Sequence, residues 1–222
     1  MTEGKLLIGH RRYSSWSMRG WLAVRLAKLD VEIEVARFVR PGPTPVIAQT
    51  SPNGLVPYLE HRGAKVWESL AVCDYCAEFE TSLWPADRIA RAEARSIAAE
   101  MHAGFRGLRQ NMWMNLGRDY SGYGRVPEAL ADIARIEAIW AGARARHGAG
   151  GPFLFGTEFT AADIIFAPVV TRFLTWRPDL SAASLAYMNA VRAFPLVDEW
   201  YADAAKEPED WLVADYEITP PR

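Results

Sequence analysis

Hydroxyl side chains cluster in one short stretch of the chain, Tyr13-Ser14-Ser15-Trp16-Ser17-Met18-Arg19. An apolar run over 5–9 precedes this stretch and an apolar stripe at helical spacing follows it, so the hydroxyls fall where a strand gives way to a helix. The free N–H groups and the positive dipole end of a helix favour an anion there, and a thiolate is one. The alternative is that Ser14, Ser15 or Ser17 only caps the helix.

A second informative feature is Pro57, which stands where a strand should begin in the stretch 51–59. Proline removes one donor from a strand ladder and restricts Val56 to extended geometry, which an edge strand tolerates. A cis Val56–Pro57 bond would instead turn the Val56 N–H and C=O toward an open groove. Such exposed groups can pair with an extended peptide.

The third feature is the step Glu68-Ser69 at the start of a predicted helix. In the simplest interpretation Ser69 is an ordinary helix cap. The functional interpretation is an amino-acid clamp, in which the helix N-terminus and Ser69 hold a carboxylate while Glu68 holds an ammonium group.

Strands and helices alternate in the first third of the chain, in the order β-α-β, loop, β-β-α. A proline-rich loop is expected over 40–45 and a hairpin turn at Arg62-Gly63. Periodicity predicts strands over 5–9, 31–38, 55–60 and 65–67 and helices over 17–29 and 69–79.

Beyond a linker at 83–87 the composition becomes rich in alanine and helical. Within the first helix Gly104 and Gly107 each cost about 1 kcal/mol relative to alanine, which predicts a close approach, a bend or two helices. The tail from 207 to 222 is expected to pack over the body as a coil. Helices are predicted over 86–116, 127–146, 160–176, 181–193 and 195–205.

Composition excludes several classes of function. Lys and Arg number 25 against 27 Asp and Glu, without a basic cluster, so no nucleic-acid partner is expected. No apolar run reaches about 18 residues and the N-terminus lacks a leader pattern, so we expect no membrane partner and a cytoplasmic protein. The histidines show no metal-ligand spacing, so no metal is expected.

Cys73 and Cys76 form a Cys-x-x-Cys pair, a spacing that redox dithiols use. They fall well inside the third predicted helix, on or near its apolar face. We interpret them as buried packing thiols.

The three stretches together resemble the cytosolic glutathione S-transferases. Thr160-Ala161-Ala162-Asp163 further resembles the buried helix-capping motif of that family, in which the first and last side chains cap each other's backbone. The resemblance implies an α/β plus all-α fold. A thioredoxin-like glutathione-binding domain would span 1–82, and an all-helical domain contributing the electrophile pocket would span 87–222.

The resemblance also implies roles in binding glutathione. Val56, before a cis Pro57, resembles the backbone clamp on the cysteinyl residue, and Glu68 and Ser69 resemble the γ-glutamyl site. The glycine carboxylate needs a donor from the loop after the second strand, for which Arg40 and Gln49 are the candidates.

Ser14 resembles the activating hydroxyl in the Ser-Ser-Cys signature of the zeta class, and Tyr13 and Ser17 are its rivals. This chain carries Trp16 where that class carries cysteine. Arg19 is expected to order the site through structural hydrogen bonds.

A second substrate would lie over the sulfur, between the two domains. Trp16 with Phe105, Leu108 and Met112 could form its apolar pocket, or the last three could simply be core residues. The resemblance implies a homodimer that conjugates glutathione, as co-substrate, to a small hydrophobic electrophile. The alternatives are a glutathione-dependent isomerase of the maleylacetoacetate type, a peroxidase, or a non-catalytic binding protein.

Overall fold

The computed structural model describes residues 2–218 and has a sheet-containing N-terminal half followed by a helical half. The strands of the first half are β1 (Gly4–Ile8), β2 (Glu32–Val35), β3 (Tyr58–His61) and β4 (Ala64–Trp67). Its helices are α1 (Ser15–Leu26), α2 (Pro45–Thr50) and α3 (Ser69–Ala77). The predicted fold class is therefore confirmed, although α2, which begins at the end of the loop predicted over 40–45, was not predicted.

The four strands form one mixed sheet in the order β2-β1-β3-β4. β1 runs parallel to β2 and antiparallel to β3, with Leu7 opposite Tyr58. Leu6, Leu7 and Ile8 are buried because β1 is internal and covered on both faces. The expected hairpin turn joins β3 to β4: Arg62 and Gly63 both have positive φ, as a two-residue turn of this hand requires.

The helical half is a bundle around one buried helix. Its helices are α4 (Arg88–Ala103), α5 (Arg106–Asn111), α6 (Pro127–His147), α7 (Ala161–Trp176), α8 (Ala182–Arg192), α9 (Pro195–Ala204) and the single turn α10 (Ala214–Glu217). The central helix is α7, which contacts α1 of the first half as well as α4 and α8.

The expected interruption near Gly104 separates α4 from α5. Phe105 adopts a left-handed φ of 62°, which ends one helix and starts the next. Gly107 marks a close approach, since a Cβ there would lie 2.5 Å from the Glu128 carbonyl oxygen at the start of α6. Of the three explanations predicted for Gly104 and Gly107, the structure therefore shows two: a chain divided into two helices and a close approach.

The tail is more ordered than the predicted coil, as far as residue 218. A short 3-10 turn, Glu209–Trp211, and α10 lie against the first half, where Trp211 stacks on His10 and Glu217 accepts from the Tyr13 hydroxyl. The Tyr216 carbonyl accepts hydrogen bonds from Trp113 Nε1 at 3.0 Å and Asn115 Nδ2 at 2.9 Å. The expectation for 219–222 falls outside the described residues.

A reciprocal cap fixes the start of α7. The buried Asp163 carboxylate accepts from the Thr160 N–H at 2.9 Å, the Leu154 N–H at 3.1 Å and the Tyr187 hydroxyl at 3.0 Å. The predicted capping motif is present, and it also connects the preceding loop and α8 to α7.

Replacing the buried acceptor should destabilise the helical half. Asp163→Ala leaves the N–H groups of Leu154 and Thr160 and the Tyr187 hydroxyl without their acceptor, so we expect a loss of about 3 kcal/mol or more in the free energy of unfolding. Urea denaturation followed by circular dichroism measures it. Asp198→Ala, in the exposed first turn of α9, is the control and should cost much less. Equal losses in the two variants would contradict the structural role of Asp163.

Candidate active site

A cavity of about 680 Å³ opens where the sheet-containing half meets the helical half. It is lined by the N-terminus of α1, the segments before α2 and β3, the start of α3, and residues from α5, α7 and the tail. The residues predicted from sequence that line it are Tyr13, Ser14, Trp16, Arg40, Val56, Pro57, Glu68 and Ser69.

Ser14 both caps α1 and faces the cavity. Its Oγ accepts from the Ser17 N–H at 3.2 Å and lies 2.7 Å from Ser17 Oγ. Ser17 is fully buried and its hydroxyl accepts from the Gly9 N–H at 2.9 Å, at the end of β1. Of the two serines, Ser14 is therefore both the cap and the hydroxyl at the cavity wall, whereas Ser17 lies behind it.

Tyr13, the other rival, is bound to the tail. Its hydroxyl donates to Glu217 Oε1 at 2.5 Å, and its ring stacks on Tyr216 with 5.1 Å between centroids. Burial, with the neighbouring Glu217, raises the pKa of Tyr13 well above its ordinary value. A hydroxyl already committed to a carboxylate is a poor donor to a ligand.

The Val56–Pro57 bond is cis, and the N–H and C=O of Val56 make no hydrogen bond within residues 2–218. Pro57 lies against the middle of α1, where a Cβ on Gly20 would be 2.6 Å from the Pro57 Cβ. Gly20 thus permits α1 to lie close to the segment that carries Val56. The unpaired main chain of Val56 can pair with an extended peptide.

Glu68 and Ser69 line the cavity at the start of α3. Glu68 has a left-handed φ of 70° at the N-terminus of α3, and its carboxylate accepts from Asn53 Nδ2 at 3.2 Å. It also lies 3.4 Å from His102 Nε2 in α4. Ser69 is not the cap, because Glu68 occupies that position; its buried Oγ has no partner in the described chain and is free to bind a ligand.

Arg40 and Gln49, the two residues considered as donors to a terminal carboxylate, occupy different places in the structure. Arg40 is exposed and lines the cavity, beside the segment that leads into α2. Gln49 is exposed in α2 and does not contribute to the cavity wall. The short helix that the sequence did not reveal turns Gln49 away, so only Arg40 stays a candidate.

The helical wall differs from the one expected. Phe105, Leu108 and Met112 are at most 8% exposed and belong to the apolar core, so the interpretation of them as pocket residues is corrected. The helical half lines the cavity with Arg109, Trp113, Met114 and Arg172, and the tail adds Tyr216.

Trp16 of α1 lines the cavity next to two cations. The guanidinium carbons of Arg19 and Arg109 both lie 4.6 Å from the centre of its ring. Arg19 is fully buried and its Nε donates to the Ile165 carbonyl of α7 at 3.0 Å, which is the structural role expected for it. Trp16 is therefore packed by cation–π contacts and is only partly open to the cavity.

Cys73 and Cys76 are buried in α3, as interpreted from the sequence. Burial raises the pKa of both thiols, that of Cys76 to about 12, so neither supplies a thiolate at neutral pH. Across 2–218 no three His, Cys, Asp or Glu side chains converge to hold a metal ion. No helix in the same range is long and apolar enough to cross a membrane.

Comparison with known families resolves the class of protein. Residues 13–78 match the family model for the glutathione S-transferase N-terminal domain, and residues 122–203 match that for the C-terminal domain. The two matches together span about two thirds of the chain. This chain belongs to the glutathione S-transferase family.

Named relatives of this transferase-family chain include two curated proteins. It is 29% identical over 155 residues to a maleylacetoacetate isomerase of Rhizobium meliloti, a match spanning 61% of this chain and 65% of that protein. It is 25% identical over 174 residues to a probable maleylacetoacetate isomerase of Caenorhabditis elegans, spanning 77% and 79%. In fold it is similar to a glutathione transferase homologue from Burkholderia with bound glutathione, with a TM-score of 0.67 and 21% identity over 92% and 99% of the two chains.

The cavity residues of the helical half and the tail were not predicted from the sequence, and two of them, Arg109 and Arg172, are charged. Arg172 was recognisable as the only charged residue inside α7 after Asp163, in an otherwise buried run. Arg109 carried no such signal, because the break after α4 decides which face of α5 meets the cavity.

The close approach of α1 to Pro57 makes Gly20 intolerant of a larger side chain. Gly→Ala in a helix normally adds up to about 1 kcal/mol of stability. At Gly20 the clash with Pro57 should reverse the sign, so Gly20→Ala should lose about 1–3 kcal/mol in the free energy of unfolding. Chemical denaturation measures it. Gly142→Ala in α6, where a Cβ meets only the flexible Arg146 side chain, is the control and should be neutral or stabilising. Stabilisation by both substitutions would contradict the contact.

Proposed function

We propose that this protein binds glutathione in the cavity between its halves and activates the thiol for attack on a small electrophile. One observation carries the proposal: the Ser14 hydroxyl, the unpaired main chain of Val56 and the Glu68–Ser69 step share one cavity wall. They correspond to the thiol, the cysteinyl main chain and the γ-glutamyl group of the tripeptide.

The groups along this wall suit the ends of glutathione. The unpartnered Ser69 hydroxyl and the N-terminus of α3 would bind the γ-glutamyl carboxylate, with the Glu68 carboxylate on the ammonium group. Arg40 would bind the glycine carboxylate. Val56 would pair with the cysteinyl N–H and C=O in the manner of an added strand.

Ser14 would act as a hydrogen-bond donor to the sulfur. A free thiol has a pKa of about 8.5, so it is mostly protonated at neutral pH. Lowering that pKa by about 2 units needs about 2.7 kcal/mol of preference for the anion. One charge-assisted hydrogen bond of about 1.5–3 kcal/mol and a dipole contribution of about 0.3–1 kcal/mol are enough.

The Ser14 hydroxyl has a hydrogen-bond partner inside the protein, Ser17. Ser14 donates its proton to Ser17 Oγ at 2.7 Å and accepts from the Ser17 N–H at 3.2 Å, while Ser17 Oγ also accepts from the Gly9 N–H. On binding glutathione the Ser14 O–H would rotate from Ser17 to the sulfur, and the Ser17 O–H would then donate to Ser14 Oγ. Ser17 would position the catalytic hydroxyl without touching the sulfur.

We retain as proposals the division into a glutathione-binding domain over 1–82 and a helical domain over 87–222, and the homodimer that the family resemblance implies. A glutathione-dependent isomerase of the maleylacetoacetate type is the second candidate function, because both named relatives carry that isomerase name. Isomerisation would regenerate glutathione, whereas conjugation consumes it, so assaying free thiol during turnover separates the two.

Removing the Ser14 hydroxyl should make the bound thiol harder to ionise. We expect Ser14→Ala to raise the pKa of bound glutathione by about 1–2 units, because the charge-assisted hydrogen bond is lost while the dipole contribution remains. The midpoint of the pH profile of conjugation should then move from about pH 6.5 to about pH 7.5–8.5. Ultraviolet absorbance of the thiolate gives the pKa, and stopped-flow kinetics give the pH profile.

Tyr13→Phe is the matched control, because it removes the rival hydroxyl and should leave the pKa of the bound thiol unchanged. A thiol pKa that is unchanged in Ser14→Ala and raised in Tyr13→Phe would overturn the assignment of Ser14.

A further inference from the structure

Two arginines on the helical wall of the cavity, Arg109 and Arg172, form no ion pair with a carboxylate within residues 2–218. Arg172 of α7 is buried at 5% exposure; its Nη1 donates to the Pro168 carbonyl and its Nη2 to Ser15 Oγ, each at 3.1 Å. Its Nε is buried without a hydrogen-bond partner in residues 2–218.

Arg109 of α5 is half-buried beside it. Its Nε donates to the Gly104 carbonyl at 2.9 Å, and its Nη2 to the Met101 carbonyl. Asp132 acts to raise the pKa of Arg109, but it accepts from the Leu108 N–H at 2.8 Å and forms no ion pair with Arg109 in the described chain. Both guanidinium groups therefore hold neutral oxygens only.

Burial lowers the pKa of Arg172 to about 9 and that of Arg109 to about 10, and the two cations also repel each other. Both are still charged at neutral pH. A buried cation without a counterion costs stability, which is offset when a bound anion supplies the missing charge. On the surface of the same half, Arg135 pairs with Glu100 at 2.7 Å and His147 with Glu93 at 3.0 Å, so carboxylates are used there.

We propose that Arg109 and Arg172 form an anion subsite for the second substrate, which is an activated alkene or similar electrophile that bears a carboxylate. The inference rests on the proposed function, because glutathione must supply the nucleophile. Arg172 is tied to Ser15, the residue after Ser14, so the subsite adjoins the expected position of the sulfur. Both glutathione carboxylates are already assigned to the opposite wall, at Ser69 and Arg40.

The subsite would orient the reacting carbon and leave the chemistry to the thiolate. In addition to an unsaturated ketone, the sulfur forms a bond to the β-carbon and the alkene electron pair moves onto the carbonyl oxygen. Water then protonates the α-carbon, and the product is the thioether. A carboxylate elsewhere on the electrophile takes no part in these bonds and serves only for binding.

The test compares one electrophile with and without the charge. The pair is 4-(3-oxobut-1-enyl)benzoate and its methyl ester, whose rates are divided by their uncatalysed rates with glutathione. The wild-type protein should favour the acid over the ester in kcat/KM by about tenfold or more. Arg172→Met should abolish that preference: within the variant the ratio of the two normalised kcat/KM values should fall to about one, mainly through a higher KM for the acid. Arg135→Met, a surface arginine of the same half, should keep it.

Two outcomes would overturn the subsite alone. One is acceleration of acid and ester to the same degree by the wild-type protein. The other is an equal slowing of both by Arg172→Met together with a raised pKa of bound glutathione, since that would assign Arg172 to the thiolate. A wild-type protein that accelerates neither electrophile would overturn the proposed function, and the subsite with it.

A second measurement does not depend on a variant folding. Benzoate should inhibit the wild-type protein competitively against the acidic electrophile at least about tenfold more strongly than benzamide does. Equal inhibition by the two would overturn the proposal.

Discussion

The hydrogen bonds that join β1 to α1 are the constraint on which the site depends. The Gly9 N–H binds Ser17 Oγ at 2.9 Å, and the Ser17 N–H binds Ser14 Oγ at 3.2 Å. A side chain inside the helix thus satisfies the end of the strand, and a side chain before the helix caps it. The Ser14 hydroxyl is held at a fixed place relative to the sheet, beside the helix dipole, which is where an anion is most stable.

The helical half completes the cavity because α7 lies directly against α1. Arg19 of α1 donates to the Ile165 carbonyl at 3.0 Å, and Arg172 of α7 donates to Ser15 at 3.1 Å, so hydrogen bonds cross the junction in both directions. The tail covers the same region, with Glu217 binding Tyr13 and Tyr216 lining the cavity. The helical wall of the cavity consequently carries arginines where the sequence predicted an apolar pocket. Such a wall suits an electrophile that bears a negative charge.

Most of the fold could be predicted from patterns formed by residues close together in the sequence. The apolar run of β1, the Arg62-Gly63 turn and the Thr160–Asp163 cap depend on neighbouring residues and were predicted correctly. Features that depend on tertiary contacts were not. The six residues of α2 are too few for helical periodicity to emerge, and the left-handed Phe105 decides which face of α5 reaches the cavity. For that reason Arg109 was missed, and the sequence left Leu108 undecided between the pocket and the core, where the structure places it.

The central claim is that one cavity wall binds glutathione with its sulfur at Ser14. A crystal structure of the protein with glutathione tests it most directly. The account predicts the sulfur within hydrogen-bond distance of Ser14 Oγ, the cysteinyl main chain paired with Val56, and the γ-glutamyl carboxylate at Ser69. A tripeptide bound with its sulfur away from Ser14, or bound outside this cavity, would contradict it.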